Sequence, residues 1–394
     1  MSGRGNIMRR GKSSWQLKFD VPGDNGKRRT RYITVRGRRQ DAQKELTRLL
    51  SQSDAGTLPE PSKLTVEEYM RIWLDAPTVI GKIGKERREL SAKTVERYRQ
   101  LAEQQIYPSL GKIKLQKLKL TTIEDWHATL LQSGGKDGKP LASRTAGHAH
   151  RLLQRALRRA VETEVLARNV AGIIGAPASP DSEVEILSAE QVPVLLRKLE
   201  GHALHLIATI DLATGLRRGE LLALPWTAVD LDGASLRVER SLEETKAGLA
   251  FKPPKTKHGR RTISLPPGAV AALREHRRKQ LELRMALGLG RPEPDALVFC
   301  NPDGSPMSPD NLSRDWGRAC RNLDLPKVTF HALRHTHVSA LIAANVDVVQ
   351  ISRRIGHGSP AVTLWIYAHL FKSTDAAAAN AIEAAMAGTT HQGA

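Results

Sequence analysis

At 394 residues, with 61 Lys and Arg against 41 Asp and Glu and a formal net charge of +20, the chain is too long for one typical core and strongly cationic. Hydrophobic content of 40% excludes a disordered polycation; no apolar run nears the ~18 residues of a spanning helix, and the N-terminus MSGRGNIMRRGK carries no apolar signal region. A polyanion, first of all nucleic acid, is therefore the expected partner rather than a membrane, and the expected setting is soluble and intracellular.

Residues 1 to 39 hold twelve Lys and Arg against two Asp, half the net positive charge of the chain. WQLKFDV (15–21) alternates strictly, Trp15, Leu17, Phe19 and Val21 facing one way and Gln16, Lys18 and Asp20 the other, which predicts a half-buried strand. PGDNGK (22–27) is turn chemistry, RRTRYITVRGRR (28–39) predicts a second strand, and a helix follows from about Gln40 to Gln52. A small sheet with a basic face suits readout of a DNA groove, with Arg28, Arg29 and Arg31 as contacts.

SQSDAGTLPEPS (51–62) reads as a linker, after which Thr65 and Glu68 form a capping box that opens a helical stretch running to about Ile174. In its last long helix Arg144, His148, Arg151, Arg155 and Arg158 fall at spacings of three and four on one face. Ala149, Leu153, Ala156, Leu157 and Ala160 lie opposite. The stripe contains no acidic residue and predicts a helix that tracks phosphates.

GAPASPDSEVEI (175–186) is a second linker, and Ser188 with Gln191 caps the start of a mixed region: helices to about 225, strands through LDGASLRVERS and RRTISLP, then helices to the end. Cys300 and Cys320 are too few for a zinc site or a disulfide framework and read as reduced, partly buried thiols. Asp230 and Asp232 in VDLDG read as turn residues rather than metal ligands.

TFHALRHTHVSAL (329–341) places His331, Arg334 and His335 on one helix face. A metal site fits poorly, because Ala332 stands where an HExxH motif has glutamate and an arginine sits among the would-be ligands. An arginine fork with imidazoles beside it is better suited to hold a phosphate, where an imidazole donates a hydrogen bond or moves a proton. Arg217 in ATGLRRGELLAL taken alone is a helix start with an ion pair to Glu220, and Lys255 in KPPKTKHGRR taken alone is a turn lysine, with Lys257 close enough to compete. In RIGHGSPAVTLWIYAHL (354–370) stand His357 and Tyr367, the latter the sole tyrosine after Tyr107.

In this order the motifs TGLR, KTK, HxLRH, GH and Y resemble the tyrosine recombinase family, and within it the integrases of temperate phages and integrative elements. The resemblance implies a multidomain, mainly α chain with small antiparallel β-sheets. Its parts would be an arm-type DNA-binding module of three strands and a helix (1–60), a helical core-type DNA-binding domain (63–175) and a mixed α+β catalytic domain with a C-terminal tail (183–394). It implies Arg217, Lys255, His331, Arg334, His357 and the nucleophile Tyr367 as catalytic residues, a 3′-phosphotyrosine intermediate, and no metal or nucleotide cofactor. It implies further a homotetramer on DNA, DNA-bending accessory proteins or an excision factor as partners, and the cytoplasm of a bacterial host. A type IB topoisomerase-like enzyme and a non-catalytic DNA-binding regulator are the alternatives. The tail STDAAAANAIEAAMAG (373–388) reads as a helix capped by Ser373, Thr374 or Asp375 that docks on a neighbouring subunit or on its own domain.

Overall fold

A computed structural model describes residues 5–22, 28–55, 58–76, 90–180, 185–254, 257–371 and 375–387. The chain is mainly helical with small antiparallel sheets, as expected, and divides into two compact units, Met1–Asp181 and Ser182–Ala394.

The first unit begins with strands β1 (Gly5–Gly11), β2 (Ser14–Pro22) and β3 (Arg28–Arg36) in the antiparallel order β1-β2-β3, followed by helix α1 (Arg39–Asp54). Alternation along β2 buries Leu17, Phe19 and Val21 against Ala42, Leu46 and Leu49 of α1, forming a core of its own. β1 has no alternating signature, since its large apolar residues, Ile7 and Met8, are adjacent and Met8 is exposed. The turn expected at 22–27 lies outside the described residues after Pro22.

Arg31, one of the expected DNA contacts, lies apart from Arg28 on the sheet. The pairing Leu17↔Ile33 gives Arg31 the same parity as Ile33 and Val35, toward the α1 side of the sheet. There Arg31 donates to the Pro59 carbonyl at 2.9 Å and pairs with Glu60, its side chain 11% exposed. Arg31 thus ties down the end of the segment expected to be a linker. The outer face instead carries Arg28, Tyr32 and Arg36 from β3, Lys18 from β2, and Arg10, whose guanidinium holds the Gln16 amide oxygen.

Helices α2 (Val66–Asp75), α3 (Ala92–Leu101), α4 (Tyr107–Leu110), α5 (Leu120–Ser133) and α6 (Ser143–Glu162) complete the unit around a second core. Thr65 caps α2 as expected: its hydroxyl accepts the Glu68 N–H while the Glu68 carboxylate accepts the Thr65 N–H. α3 runs into α4 through a π-helical turn, Ala102–Ile106, next to Pro108, which has no N–H to continue regular bonding. The Gln105 carbonyl in that turn accepts the Trp126 indole N–H at 2.7 Å. On α6 the apolar residues named from the sequence are all buried.

Beside them, His150 meets His127 of α5 at 3.0 Å with both rings buried, and burial first, then the neighbouring His127 and Arg151, pushes His150 down to about 4. A histidine depressed in the fold refuses a proton that the unfolded chain accepts, so its stabilisation is full above about pH 6.5 and is lost toward pH 4. The slope is about 1.4 kcal/mol per pH unit per proton. Urea denaturation followed by tryptophan fluorescence at pH 7.5 and pH 5 is expected to show that loss, and His150→Gln is expected to reduce it.

The second unit opens with α7 (Gln191–Lys198), α8 (His205–Thr214) and α9 (Arg218–Leu222). Ser188 and Gln191 exchange the two bonds of a capping box, although the helix itself starts only at Gln191. β4 (Val229–Asp230), β5 (Ser235–Val238), β6 (Ser241–Thr245), β7 (Gly248–Lys252) and β8 (Arg261–Ser264) form a β4-β5-β8 sheet and a separate β6-β7 hairpin. Alternation could not flag that hairpin, because Leu242 is its one fully buried apolar residue while Leu249 and Phe251 are exposed. Asp230 accepts the Gly233 N–H at 2.8 Å, the turn role expected of it.

The remaining helices are α10 (Pro267–Ala286), α11 (Pro309–Asn322), α12 (Phe330–Ala343), α13 (Val348–Ile355), α14 (Pro360–Tyr367) and α15 (Asp375–Ala387). Leu221, Leu236, Ile263, Trp316 and Leu333 anchor the main core, while Val338 and Ile342 of α12 join Ile351, Ile355 and Tyr367 in a second cluster. α12 therefore borders both cores, and the histidine face lies along it. The expected caps Ser373 and Thr374 lie outside the described residues, as does the Asp375 side chain. Among the described residues no helix is long and apolar enough to cross a membrane.

Candidate active site

Two helix C-termini set the frame of the site. α8 ends at Gly215 and α13 at Gly356, both in the left-handed conformation (φ 63° and 70°), and each end leaves carbonyls without a helical partner. Arginines supply the missing donors. Arg334, on α12 and 2% exposed, bonds the Gly215 carbonyl with one nitrogen and the Ile355 carbonyl with the other at 2.6 Å. Arg217, just before α9, reaches the Gly356 carbonyl at 3.0 Å.

The Gly215 turn is also sterically closed, since a Cβ there would stand 2.6 Å from the His337 ring. Gly215→Ala combines that clash with a strained φ and is expected to cost about 1–3 kcal/mol, read as a lower urea midpoint at unchanged slope. His337 itself is structural: Nδ1 faces the Leu212 carbonyl at 2.8 Å, and Nε2 accepts from Arg354 at 3.1 Å.

Glu220, 4% exposed, accepts from Arg217 at 2.7 Å and from Arg261 at 2.9 Å. Burial raises its carboxyl, but the charges and bonds of Arg261 and Arg217 outweigh this and hold it below its ordinary value. Arg261 in turn bonds the Arg354 carbonyl at 2.6 Å, so one buried carboxylate orients two guanidinium groups. The other carboxyl near Arg334, Asp211, is buried, and burial drives it well above its ordinary value against the charge of Arg334. Burial and the Arg217 charge lower Arg334 only to about 10, so it remains protonated at neutral pH. The site carries a standing cationic excess suited to an anion.

The imidazoles around these cations are neutral at pH 7. Burial, followed by neighbouring positive or protonatable groups, pushes His335 and His357 down to about 4. His331, exposed along its outer edge, is lowered by partial desolvation and by Arg334, Arg217 and Arg218. Its ring meets His335 edge-on, with centroids 4.7 Å apart. His357 engages the buried Thr363 hydroxyl through Nδ1 at 2.9 Å. Tyr367, 1% exposed at the end of α14, has its hydroxyl 2.5 Å from His335 Nδ1, and burial pushes it up to about 12 against the opposing charge of Arg334.

Of the six residues expected to form the site, Arg217, Arg334, His357 and Tyr367 are linked through the α8, α13 and α12 contacts above, and His331 lies one turn before Arg334 and His335. Lys255 lies outside the described residues, and the competing Lys257 has no described side chain. Arg218 turns away from this cluster, bonding the Pro309 carbonyl, the Ser313 hydroxyl and Asp310. The sequence did not single out Arg261 or the bond from His335 to tyrosine, because each joins chain segments distant in sequence, nor Thr363, whose hydroxyl meets His357 only through the turn that opens α14. In the first unit Arg144, His148, Arg151 and Arg158 are exposed on α6, whereas Arg155 is half-buried and donates to the Tyr98 hydroxyl at 2.5 Å. Arg97, Tyr98, His148, Arg151, Arg155 and Arg158 line a groove of about 610 Å³.

Residues 185–374 match the Phage integrase family, and residues 84–131 match the phage integrase N-terminal SAM-like domain. The integrase of Streptomyces ambofaciens is 29% identical over 340 residues, covering 83% of this chain and 82% of that protein. Among solved structures, the Tn1549 transposon integrase in complex with a circular intermediate DNA has a TM-score of 0.64 at 20% identity, over 81% of this chain and 99% of that one. A lambda integrase tetramer bound to a Holliday junction has a TM-score of 0.52 at 18% identity, over 91% and 93% of the two chains. The last two show the shared fold. The chain belongs to the tyrosine recombinases of the phage integrase type, and it is a site-specific recombinase of mobile elements.

Proposed function

We propose that Tyr367 is the nucleophile that cuts each DNA strand, joining its phenolic oxygen to the scissile phosphate and releasing a 5′-hydroxyl, with Arg217 and Arg334 holding the non-bridging oxygens. The observation that carries this reading is the burial of Tyr367 in a site with cationic excess, where Arg334 and Arg217 are locked by the ends of α8 and α13. A phosphodiester repels nucleophiles by its charge, and its transition state loads more charge onto the same oxygens, so fixed cations lower the barrier. His331 and His357 add hydrogen bonds; Thr363 occupies Nδ1 of His357, which leaves Nε2 for the phosphate. Lys255 protonates the leaving 5′-oxygen, a role commonly worth ~10²–10⁴ in rate. The phosphotyrosine conserves the bond for rejoining, which separates a recombinase from a hydrolytic nuclease.

The test is covalent trapping with DNA from the source element in EDTA, quenched with SDS. The expected result is a protein–DNA adduct that maps to Tyr367 by mass spectrometry, and an adduct on another residue overturns the assignment.

DNA is held, in the same proposal, by two basic surfaces of the first unit. One is the N-terminal sheet, with Arg28, Arg36 and Lys18 on its outer face and Arg29 exposed at the start of β3; the other is the α6 stripe of Arg144, Arg151, Arg155 and Arg158. Contacts to phosphates release counterions, so affinity is expected to fall steeply with salt. Deleting residues 1–60 is expected to make the log–log slope shallower by several units, and an unchanged slope removes that module from the DNA. A homotetramer on paired sites, as with the lambda integrase tetramer, DNA-bending accessory proteins or an excision factor, and action in the bacterial cytoplasm complete the proposal.

A further inference from the structure

We infer that His335 takes the proton of the Tyr367 hydroxyl as that oxygen attacks the scissile phosphate, and is therefore a catalytic residue beyond the six that the motifs mark. The inference rests on the proposed role of Tyr367 as nucleophile. Its ground is geometric: His335 Nδ1 stands 2.5 Å from the phenolic oxygen, with the rings 5.6 Å apart. At 1% exposure Tyr367 cannot hand its proton directly to solvent, and among the described residues His335 is the hydrogen-bonding partner of that hydroxyl. His331 lies edge-on against His335, and His357 is turned to Thr363.

The groups around His335 favour a lone pair over a proton. From α12 it faces His331 and Arg334, from α14 Tyr367, and from the turn before α14 His357; the charges that act on it lower its basicity, and the imidazole is neutral at pH 7. With its own proton on Nε2, Nδ1 accepts from the phenol. Burial keeps the proton on the hydroxyl at neutral pH, so the transfer accompanies attack. An incoming phosphate offsets the arginine charges and makes His335 more basic at the moment it is needed. In the forward step the Tyr367 oxygen–phosphorus bond forms, the bond from phosphorus to the 5′-oxygen breaks, the phenolic proton moves to His335 Nδ1, and the 5′-oxygen takes a proton from the general acid. Rejoining reverses each transfer, and His335 returns the proton to the departing phenolate.

The test compares wild type, His335→Asn, His335→Ala and Tyr367→Phe as full chains in single-turnover cleavage of attachment-site DNA across pH 6 to 9, with DNA affinity and melting temperature measured alongside. Asparagine keeps a hydrogen-bonding group near the position of Nδ1 but cannot accept the proton, so it separates chemistry from positioning. His335→Asn is expected to bind DNA as wild type does and to cleave ~10²–10⁴-fold more slowly. Its rate is expected to climb about tenfold per pH unit where the wild-type profile is flat, because hydroxide must then remove the proton. Replacing the bridging 5′-oxygen by sulfur, which leaves without a proton, is expected not to rescue this variant. A wild-type rate, a pH profile parallel to wild type, or rescue by sulfur overturns the inference. Should His335→Ala fail to fold, the asparagine profile still decides. An adduct formed by Tyr367→Phe sinks the nucleophile reading itself, whereas loss of the adduct in Tyr367→Phe with a normal His335→Asn sinks only the inference.

Discussion

Tyr367→Phe is expected to abolish the covalent adduct while leaving DNA affinity within about twofold of wild type. The substitution removes one oxygen from a residue that packs its ring among Val338, Ile342, Ile351 and Ile355, so the apolar cluster is kept. What is lost is the attacking atom and the bond to His335. Because that bond is one buried hydrogen bond, the fold should give up only about 1 kcal/mol, within reach of a urea titration. Adduct formation is the sensitive readout, since the other hydroxyl on α14, that of Thr363, is held by His357. The measurement is an SDS-stable band on radiolabelled attachment-site DNA, with a filter-binding isotherm as the control.

Arg334→Ala is expected to reduce cleavage by about 10³-fold and to destabilise the second unit as well. One preorganised donor to a developing oxyanion is worth about 10²–10³ in rate, and Arg334 is a charged one. The structural cost comes from the Gly215 and Ile355 carbonyls, which lose their donor inside a buried site. Arg334→Lys separates the two effects. An ammonium keeps the charge but cannot span both carbonyls as the planar fork does, so partial stability and continued loss of cleavage are expected. Chevron analysis together with single-turnover cleavage would show both; wild-type cleavage in Arg334→Ala would remove this arginine from the chemistry.

Local patterns made much of the architecture readable. The strand over 15–21, the capping box at Thr65 and the two-faced helix at 143–162 each depend on periodicity or on contacts three residues apart, and sequence displays both directly. β1 and the β6-β7 hairpin lacked such patterns, because they contribute few inward residues and owe their pairing to neighbours. Arg31 shows the limit from the other side. Composition marked it as one more cation on a basic strand, but a period of two puts it on the inner face, where Glu60 and the Pro59 carbonyl claim it.

The site divides along the same line. The sequence alone determined which residue types were present for phosphate chemistry, and that His331, Arg334 and His335 share a helix face, because α-helical geometry follows from local spacing. Tertiary structure decided the rest: that the ends of α8 and α13 offer their carbonyls to Arg334 and Arg217, that Glu220 holds Arg217 and Arg261 together, and that the Tyr367 hydroxyl rests on His335. Apart from Arg217 and Glu220, which are three residues apart, these partners stand from 21 to 139 residues apart in the chain. No periodicity encodes such pairs; they form because burial leaves polar groups no water to bond, and the nearest partner is whatever the packed core brings alongside.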